Sequence, residues 1–330
     1  MNTNARKANI VQKDNLLYLR VENEWYCYDL LSTPLGEGAM GTVYLGYSCS
    51  SNEQVAVKRV IDKYANVPSI RARARLEASL LFRHPNLVEM IGYCEFNPNN
   101  GPIFIISRLI HGMTLDKHVR ENLKKAPNAV KKICETIFPI CDALDYIHSK
   151  DIVHMDIKPS NIMIENGRSN VRLMDLGIAY TNDTISMTSP GLIGTQNYAA
   201  PEQYIESGQN SLSVNKTTDI YELGITLYEL LTGYNPFDSP SREETLNKQR
   251  TIILPYVQGI PNAIIDVLRK ATDKSQINRF QSASEFKAAL NNALLFPKPK
   301  PKKWLIIVGI SCAAVVIVII LIILLTTYSV

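Results

Sequence analysis

Cysteine is scarce in this 330-residue chain and poorly placed for metal or disulfide chemistry. The six present, Cys27, Cys49, Cys94, Cys134, Cys141 and Cys312, include no Cys-x-x-Cys pair. Neither a zinc site nor a disulfide framework is expected, and the thiols read as reduced. Charge of one sign is scarce as well. The formal net charge is +4 and is not spread as a basic face, so nucleic acid is not an expected partner. Residues 1–15 are polar and lack the apolar core of a signal peptide. No internal repeat is present. Residues 1–27 read as an N-terminal extension with an unstructured start, one short strand around Leu16–Val21 and no assigned chemistry. The length fits about two domains.

Long apolar runs are absent until the very end. Residues 304–325 are then free of charge and rich in Ile, Val and Leu. At about 1.5 Å per residue such a run is long enough to cross a bilayer. The segment before it holds Lys298, Pro299, Lys300, Pro301, Lys302 and Lys303, a stiff basic linker across 293–303. Lysines there favour the cytoplasmic side, Trp304 suits the interface, and the tail 326–330 falls across the membrane. The expectation is a single-pass protein of the cell membrane whose main body faces the cytoplasm.

The chemistry-bearing residues are concentrated between His154 and Gly177. His154-Met155-Asp156-Ile157-Lys158-Pro159-Ser160-Asn161 is followed by an apolar run and then Asp175-Leu176-Gly177. An aspartate and an asparagine five positions apart, with a proline between, fit a loop that bends back on itself. Such a loop can aim a carboxylate at a hydroxyl and an amide oxygen at a metal ion. Asp175 adds a second hard oxygen ligand, suited to magnesium.

Nearer the N-terminus, Gly36, Gly38 and Gly41 make Gly-x-Gly-x-x-Gly. That pattern is shared with dinucleotide sites, which need a helix after it. Here Thr42-Val43-Tyr44-Leu45 follows, β-branched and aromatic, so a strand is expected. Val55-Ala56-Val57-Lys58 alternates as a further strand. Residues 70–82 are rich in Ala, Leu, Arg and Glu and read as a helix carrying Glu77. Residues 86–93 read as a strand start, and 104–110 as a continuous apolar strand. Residues 129–148 carry Ile133, Ile137, Ile140, Cys141, Leu144 and Ile147 at helical spacing, with Pro139 inside.

Over about residues 28–292 these segments resemble a eukaryotic-type (Hanks-type) Ser/Thr protein kinase, most like the bacterial membrane-anchored branch. The resemblance implies an α+β, two-lobed fold: a small, mainly β lobe to about residue 111 and a larger, mainly α lobe from 112, plus one C-terminal transmembrane helix. It implies ATP with Mg2+, Mn2+ being an alternative, and protein substrates phosphorylated on serine or threonine. A homodimer is among the assemblies it allows. By resemblance, Asp156 is the catalytic base and Lys158 steadies the γ-phosphate. Asn161 and Asp175 hold the metal. Leu35, Gly36, Glu37, Gly38, Gly41 and Val43 surround the nucleotide with Ala56. Lys58 grips its phosphates and is held by Glu77. Alignment on Gly112-x-Thr114-Leu115 puts Ser107 at the gate behind adenine and Arg108 to Ile110 along its edge.

Thr195 falls where Ser/Thr-specific members touch the base and its lysine. Glu202, in Ala200-Pro201-Glu202-Gln203, resembles a structural carboxylate paired with Arg279, and Asp219 one that supports the catalytic loop. Two departures stand out. Leu176 replaces a phenylalanine and can pack equally well. Met155 replaces an arginine that pairs with a phosphate on the activation segment, which methionine cannot do. Phosphorylation of Thr184, Ser186, Thr188 or Ser189 is therefore not expected to be an obligatory on-switch through this position. The rival readings are a pseudokinase-type ATP-binding scaffold and a small-molecule kinase. Lys58, Asp156, Asn161 and Asp175 are all retained, against the first. Thr195 and the Ala-Pro-Glu segment, which shapes a peptide groove, argue against the second.

Overall fold

The computed structural model describes residues 9–38, 41–60, 68–97, 100–167, 170–175, 195–204 and 214–296. Within the helix that starts at Pro68, the side chains at positions 69, 70, 73, 77 and 78 are not described. Residues 304–325, the expected span, lie outside the described residues. No described helix is long and apolar enough to cross a membrane.

The small lobe is one antiparallel sheet. Its strands are β1 (Ile10–Lys13), β2 (Leu16–Val21), β3 (Glu24–Asp29), β4 (Gly36–Glu37), β5 (Gly41–Ser48), β6 (Gln54–Val60), β7 (Met90–Glu95) and β8 (Ile103–Arg108). They run in the order β1-β2-β3-β5-β6-β8-β7, with β4 paired to β5. The extension is therefore a three-stranded meander rather than one short strand. Registers Lys13↔Leu16 and Val21↔Glu24 leave the two-residue turns Asp14-Asn15 and Glu22-Asn23. Asp14 and Glu22 take φ of +53° and +51° there. Neither turn carries the Asn-Gly or Asp-Gly pair that marks a hairpin in a sequence.

The meander covers one face of the sheet. Leu17, Leu19 and Val21 alternate inward along β2 and pack with Tyr28, Val55, Val57, Cys94, Phe104 and Ile106. The sheet curls far enough to bring β2 against β7. A Cβ placed on Gly92 would come within 2.5 Å of Val21 Cγ1, and the Cys94 thiol donates to the Asn9 carbonyl at 3.2 Å. Leu19 is fully buried in this cluster. Leu19→Ala is expected to cost about 2–5 kcal/mol of small-lobe stability. Chemical denaturation would measure it, and an unchanged midpoint would mean the meander is not integral to the lobe.

The other face receives helix α1 (Pro68–Ser79) through Ala74, Val60, Val88, Met90, Ile103 and Ile105. Buried Arg71 ties α1 to the β7–β8 side. It donates to Glu95 at 2.8 Å, to the Gly101 carbonyl at 2.9 Å and to the Asn97 carbonyl. Arg75 joins the same Glu95 carboxylate at 3.0 Å. Residues 80–82, expected to be helical, lie beyond the helix. Leu80 and Phe82 pack on the large-lobe core instead, with the Phe82 ring edge-on to Tyr146 at 5.6 Å. Pro85 also disfavours helical backbone at the residue before it. The strand expected from residue 86 starts at Met90. Residues 86–89 run between the lobes, where Val88 N–H donates to Leu173 O at 3.0 Å and Leu173 N–H to Asn86 O at 2.8 Å. The strand expected over 104–110 spans Ile103–Arg108.

The large lobe contains β9 (Gly112–Thr114), α2 (Leu115–His118), α3 (Ala129–His148), β10 (Ile162–Glu165) and β11 (Val171–Leu173). Helices α4 (Lys216–Thr232), α5 (Arg242–Thr251), α6 (Asn262–Ala271) and α7 (Ala283–Leu295) complete it. Its small sheet has the order β11-β10-β9. Helix α4 is capped by the Asn215 side chain, which accepts from Thr217 N–H, and ends on Gly233 at φ +88°. It is the central pillar of the core, with α3 and α6 packed alongside. The fold is two-lobed, β in the small lobe and mainly helical in the large one. Among the described residues the five cysteines form no disulfide.

Candidate active site

Helix α3 delivers the loop that holds the site. The helix continues through Pro139 and ends at His148. The chain then turns back, and Pro159 opens a 3-10 turn (Pro159–Asn161) at the position where a missing N–H is harmless. That turn carries Asn161 back to Asp156. The Asn161 amide donates to the Asp156 carbonyl and to Oδ2, both at 2.8 Å. Its amide oxygen is the remaining ligand atom.

Asp156 is almost buried, and its carboxylate is fully engaged. Oδ2 also accepts from Lys158 Nζ at 2.8 Å. Oδ1 accepts from Thr195 Oγ1 at 2.6 Å and from Thr195 N–H at 3.0 Å. Lys158 Nζ donates to Thr195 Oγ1 as well. Three side chains are thus gathered around one carboxylate, two from its own loop and Thr195 from far along the chain. Met155, beside it, is buried and takes φ +66°, a left-handed conformation that a side chain disfavours. Asp219, at the start of α4, holds it there. Its oxygens accept from Met155 N–H at 2.8 Å and His154 N–H at 2.9 Å, and His148 Nε2 lies 2.7 Å away.

Lys58 and Asp175 meet across the lobes, Nζ to Oδ1 at 2.6 Å. Packing around the Asp175 carboxyl raises its pKa, and the charge of Lys58 outweighs that, so the group sits below the ordinary carboxylate range. Met174 N–H donates to Asn161 O at 2.8 Å, which sets Asp175 beside Asn161. Glu77 lies on α1, and its side chain is outside the described ones. Leu176, Gly177, Thr184, Ser186, Thr188 and Ser189 are outside the described residues.

The sheet supplies the roof. Val43 lies opposite Lys58 in register, and Ala56 opposite Ser107. The turn between β4 and β5 is drawn together by Gly38 N–H on Gly41 O at 2.9 Å and Leu35 N–H on Val43 O at 2.8 Å. Gly41 is required by the fold, since a Cβ there would meet Arg59 O at 2.6 Å. A Cβ on Gly36 would meet nothing within 4 Å, and one on Gly38 only Gly41 O at 3.7 Å. Ser107 is half-buried, and Ile110 buried. Arg108 N–H is committed to Glu89 O at 2.9 Å and so is not available as a backbone donor beside Ser107.

Asn161 and Asp175 present an amide oxygen and a carboxylate oxygen, a hard donor set that fits magnesium. Among the described residues no group of three or more His, Cys, Asp or Glu could hold a metal ion, so phosphate and water oxygens would complete its shell. Glu202 and Arg279 pair bidentately at 2.6 and 3.0 Å, as their family order led one to expect. Two further buried residues, Gln203 and Glu222, were not singled out. Glu222 had a signal: it is the one acidic residue between Asp219 and Glu229 in an otherwise apolar stretch of α4.

The match to the protein kinase domain covers residues 30–299. Serine/threonine-protein kinase PrkC of Bacillus subtilis (strain 168) is 31% identical over 280 residues, covering 82% of this chain and 41% of that protein. Serine/threonine-protein kinase PknB of Mycobacterium leprae is 33% identical over 287 residues, covering 84% and 45% respectively. The chain therefore spans less than half the length of these relatives. Among solved structures, the PknI kinase domain of Mycobacterium tuberculosis, crystallised as a double mutant, superposes with a TM-score of 0.62 at 23% identity. That likeness covers 86% of this chain and 98% of the other. With the two-lobed fold and the cluster around Asp156, these matches show that the chain belongs to the protein kinase family and is a homologue of the bacterial Hanks-type Ser/Thr kinases.

Proposed function

We propose that this chain transfers the γ-phosphate of ATP to serine and threonine hydroxyls of proteins, with Asp156 as the base. The observation that carries the reading is the convergence of Lys158, Asn161 and Thr195 on that one carboxylate. Phosphoryl transfer asks little covalent chemistry of a protein; it asks for in-line positioning and neutralised charge. Asp156 accepts the proton of the substrate hydroxyl. Lys158 steadies the γ-phosphate, and Thr195 holds both residues in register. Lys58 orients the α- and β-phosphates, with Glu77 as its partner from α1. Magnesium, when bound between Asn161 and Asp175, supplies charge neutralisation across the phosphates. The open space around Gly36 and Gly38 supports a backbone that closes down on a ligand there, because the protein itself makes no demand for glycine at either position. Leu35, Glu37, Val43, Ala56, Ser107 and Ile110 complete the nucleotide walls.

The test is phosphate transfer from γ-labelled ATP with magnesium to a generic basic protein, using the full chain in lipid. Phosphoserine or phosphothreonine is the expected product. ATP binding without transfer would favour the scaffold reading instead.

Ser107 is small for a gate, so the pocket behind adenine is open. An ATP analogue carrying a bulky group on the adenine amine is expected to serve as phosphate donor with a KM within about tenfold of ATP, on the scale of one apolar group in a pocket. Steady-state kinetics with both donors checks this, and outright exclusion of the analogue would move the gate elsewhere.

Membrane anchoring belongs to the same proposal. It rests on the uncharged run 304–325 and its lysine-rich flank, which put the kinase lobes on the cytoplasmic face. Anionic lipid is a natural neighbour of that flank.

A further inference from the structure

Glu222 is fully buried inside α4, one turn beyond Asp219. Its two carboxyl oxygens have separate tasks. Oε2 accepts from Ile157 N–H at 2.7 Å, and Oε1 accepts from Gln203 Nε2 at 2.9 Å. Gln203, also fully buried, donates from the same nitrogen to Met155 O at 3.2 Å, and its oxygen accepts from Ala200 N–H. The two peptide groups that join Asp156 to the chain are those between Met155 and Asp156 and between Asp156 and Ile157. Met155 O belongs to the first and Ile157 N–H to the second. The Gln203–Glu222 pair therefore grips the base's backbone on both sides. Thr226 Oγ1 adds a bond to Ile157 O at 3.0 Å.

We propose that Glu222 and Gln203 are positioning residues for the transfer reaction. They fix the backbone that aims Asp156 and tie it to the Ala200 end of the segment that carries Thr195. The inference rests on the kinase reading above and adds to it. Asp219 secures Met155 and His154 from the α4 N-terminus, but it does not reach Ile157 or the Ala200 segment. Among the described residues the Gln203–Glu222 pair joins Ile157 N–H and Met155 O to Ala200 N–H. An aim shifted by about 1 Å is enough to slow a reaction on the order of 100-fold. A carboxyl group can accept on both oxygens, ionised or protonated, whereas an amide nitrogen cannot accept at all. Burial and the Asp219 carboxylate push the Glu222 pKa well above its ordinary value, and the acceptor argument holds either way.

The test is Glu222→Gln in the full chain. An amide there sets an N–H against either Ile157 N–H or the Gln203 amide nitrogen. Expected is a fall in kcat of about 10–100-fold, with KM for ATP within about twofold, because the nucleotide is held mainly from the small lobe. The reciprocal exchange, Gln203→Glu with Glu222→Gln, restores one donor facing one acceptor at every contact except Met155 O. It is expected to recover a substantial part of the lost kcat, which a merely structural role does not predict. If E222Q fails to bind nucleotide, the reciprocal exchange carries the test alone. An active wild type with unimpaired E222Q, or an exchange that binds ATP but stays as slow as the single variant, overturns the proposal. An inactive wild type would instead bring down the kinase reading itself, so the two failures are distinct.

Discussion

Asp156→Asn is expected to lower kcat by about 10²–10⁴-fold, the usual range for loss of a positioned acid or base, with ATP affinity retained. Two effects combine. The variant has no carboxylate to take the substrate proton. It also places an N–H among the donors that now converge on the carboxylate, namely Lys158 Nζ, the Asn161 amide and Thr195. One of those contacts must become donor against donor. In the proposed reading nucleotide is held by residues of the sheet and by Lys58, so its binding is expected to survive. Single-turnover transfer alongside an ATP titration separates the two quantities. A variant that retained more than a tenth of the rate would remove Asp156 from the role of base. Joint loss of binding and transfer would point to a collapsed loop instead.

Arg279→Ala is expected to destabilise the large lobe by about 3–5 kcal/mol, as breaking a buried ion pair does when one charge is left behind. The Arg279 side chain has no exposure, and that of Glu202 is 7% exposed. The guanidinium also donates to Asp273 O at 2.7 Å and lies over the Tyr221 ring at 4.7 Å, so the loss is not only electrostatic. The pair carries a pH signature. Burial raises the pKa of Glu202, but the hydrogen bonds and charge of Arg279 outweigh that and hold it below its ordinary value near 4.5. A carboxyl group depressed in the folded state contributes stability that is complete above the unfolded value and lost as the pH falls through the folded one. In R279A the stranded carboxylate is relieved by protonation. The gap between wild type and variant should therefore narrow as the pH drops from 7 toward 4. Thermal unfolding across that range measures it, and a gap independent of pH would assign the loss to packing alone.

The site was more legible in the sequence than the lobe above it. Residues such as Asp156, Asn161 and Asp175 are constrained by chemistry at fixed spacing, and a proline and a glycine punctuate them. Their segment therefore reads as a site whatever the fold around it does. The meander had no such help. Its turns use Asp14-Asn15 and Glu22-Asn23, which lack glycine, and β1 is too short to show alternation. The end of α1 was misplaced because Leu80 and Leu81 continue a helix-favouring composition, whereas Leu80 and Phe82 answer to the core of the other lobe. Gln203 carries no mark of burial in the sequence, and the one mark of Glu222 is its place in the mostly apolar run of α4. Only the fold reveals that they meet, and at which peptide groups. Arg71 was hidden in the same way among the arginines of α1, of which it is fully sequestered on Glu95.

The meander also decides what the sheet offers to other chains. A terminal strand is a row of unpaired N–H and C=O groups, and a long aromatic one invites edge-to-edge pairing and aggregation. Without β1 and β2 that row would fall to β3, whose six residues include Trp25, Tyr26 and Tyr28. With them it falls to β1, four residues long, ending in exposed Gln12 and Lys13. A fragment trimmed to begin near residue 28 would keep every side chain around Asp156. It would also uncover Val57, Phe104 and Ile106 and leave β5 unprotected along the stretch that β3 now pairs. Such a fragment is expected to be limited by solubility before it is limited by chemistry.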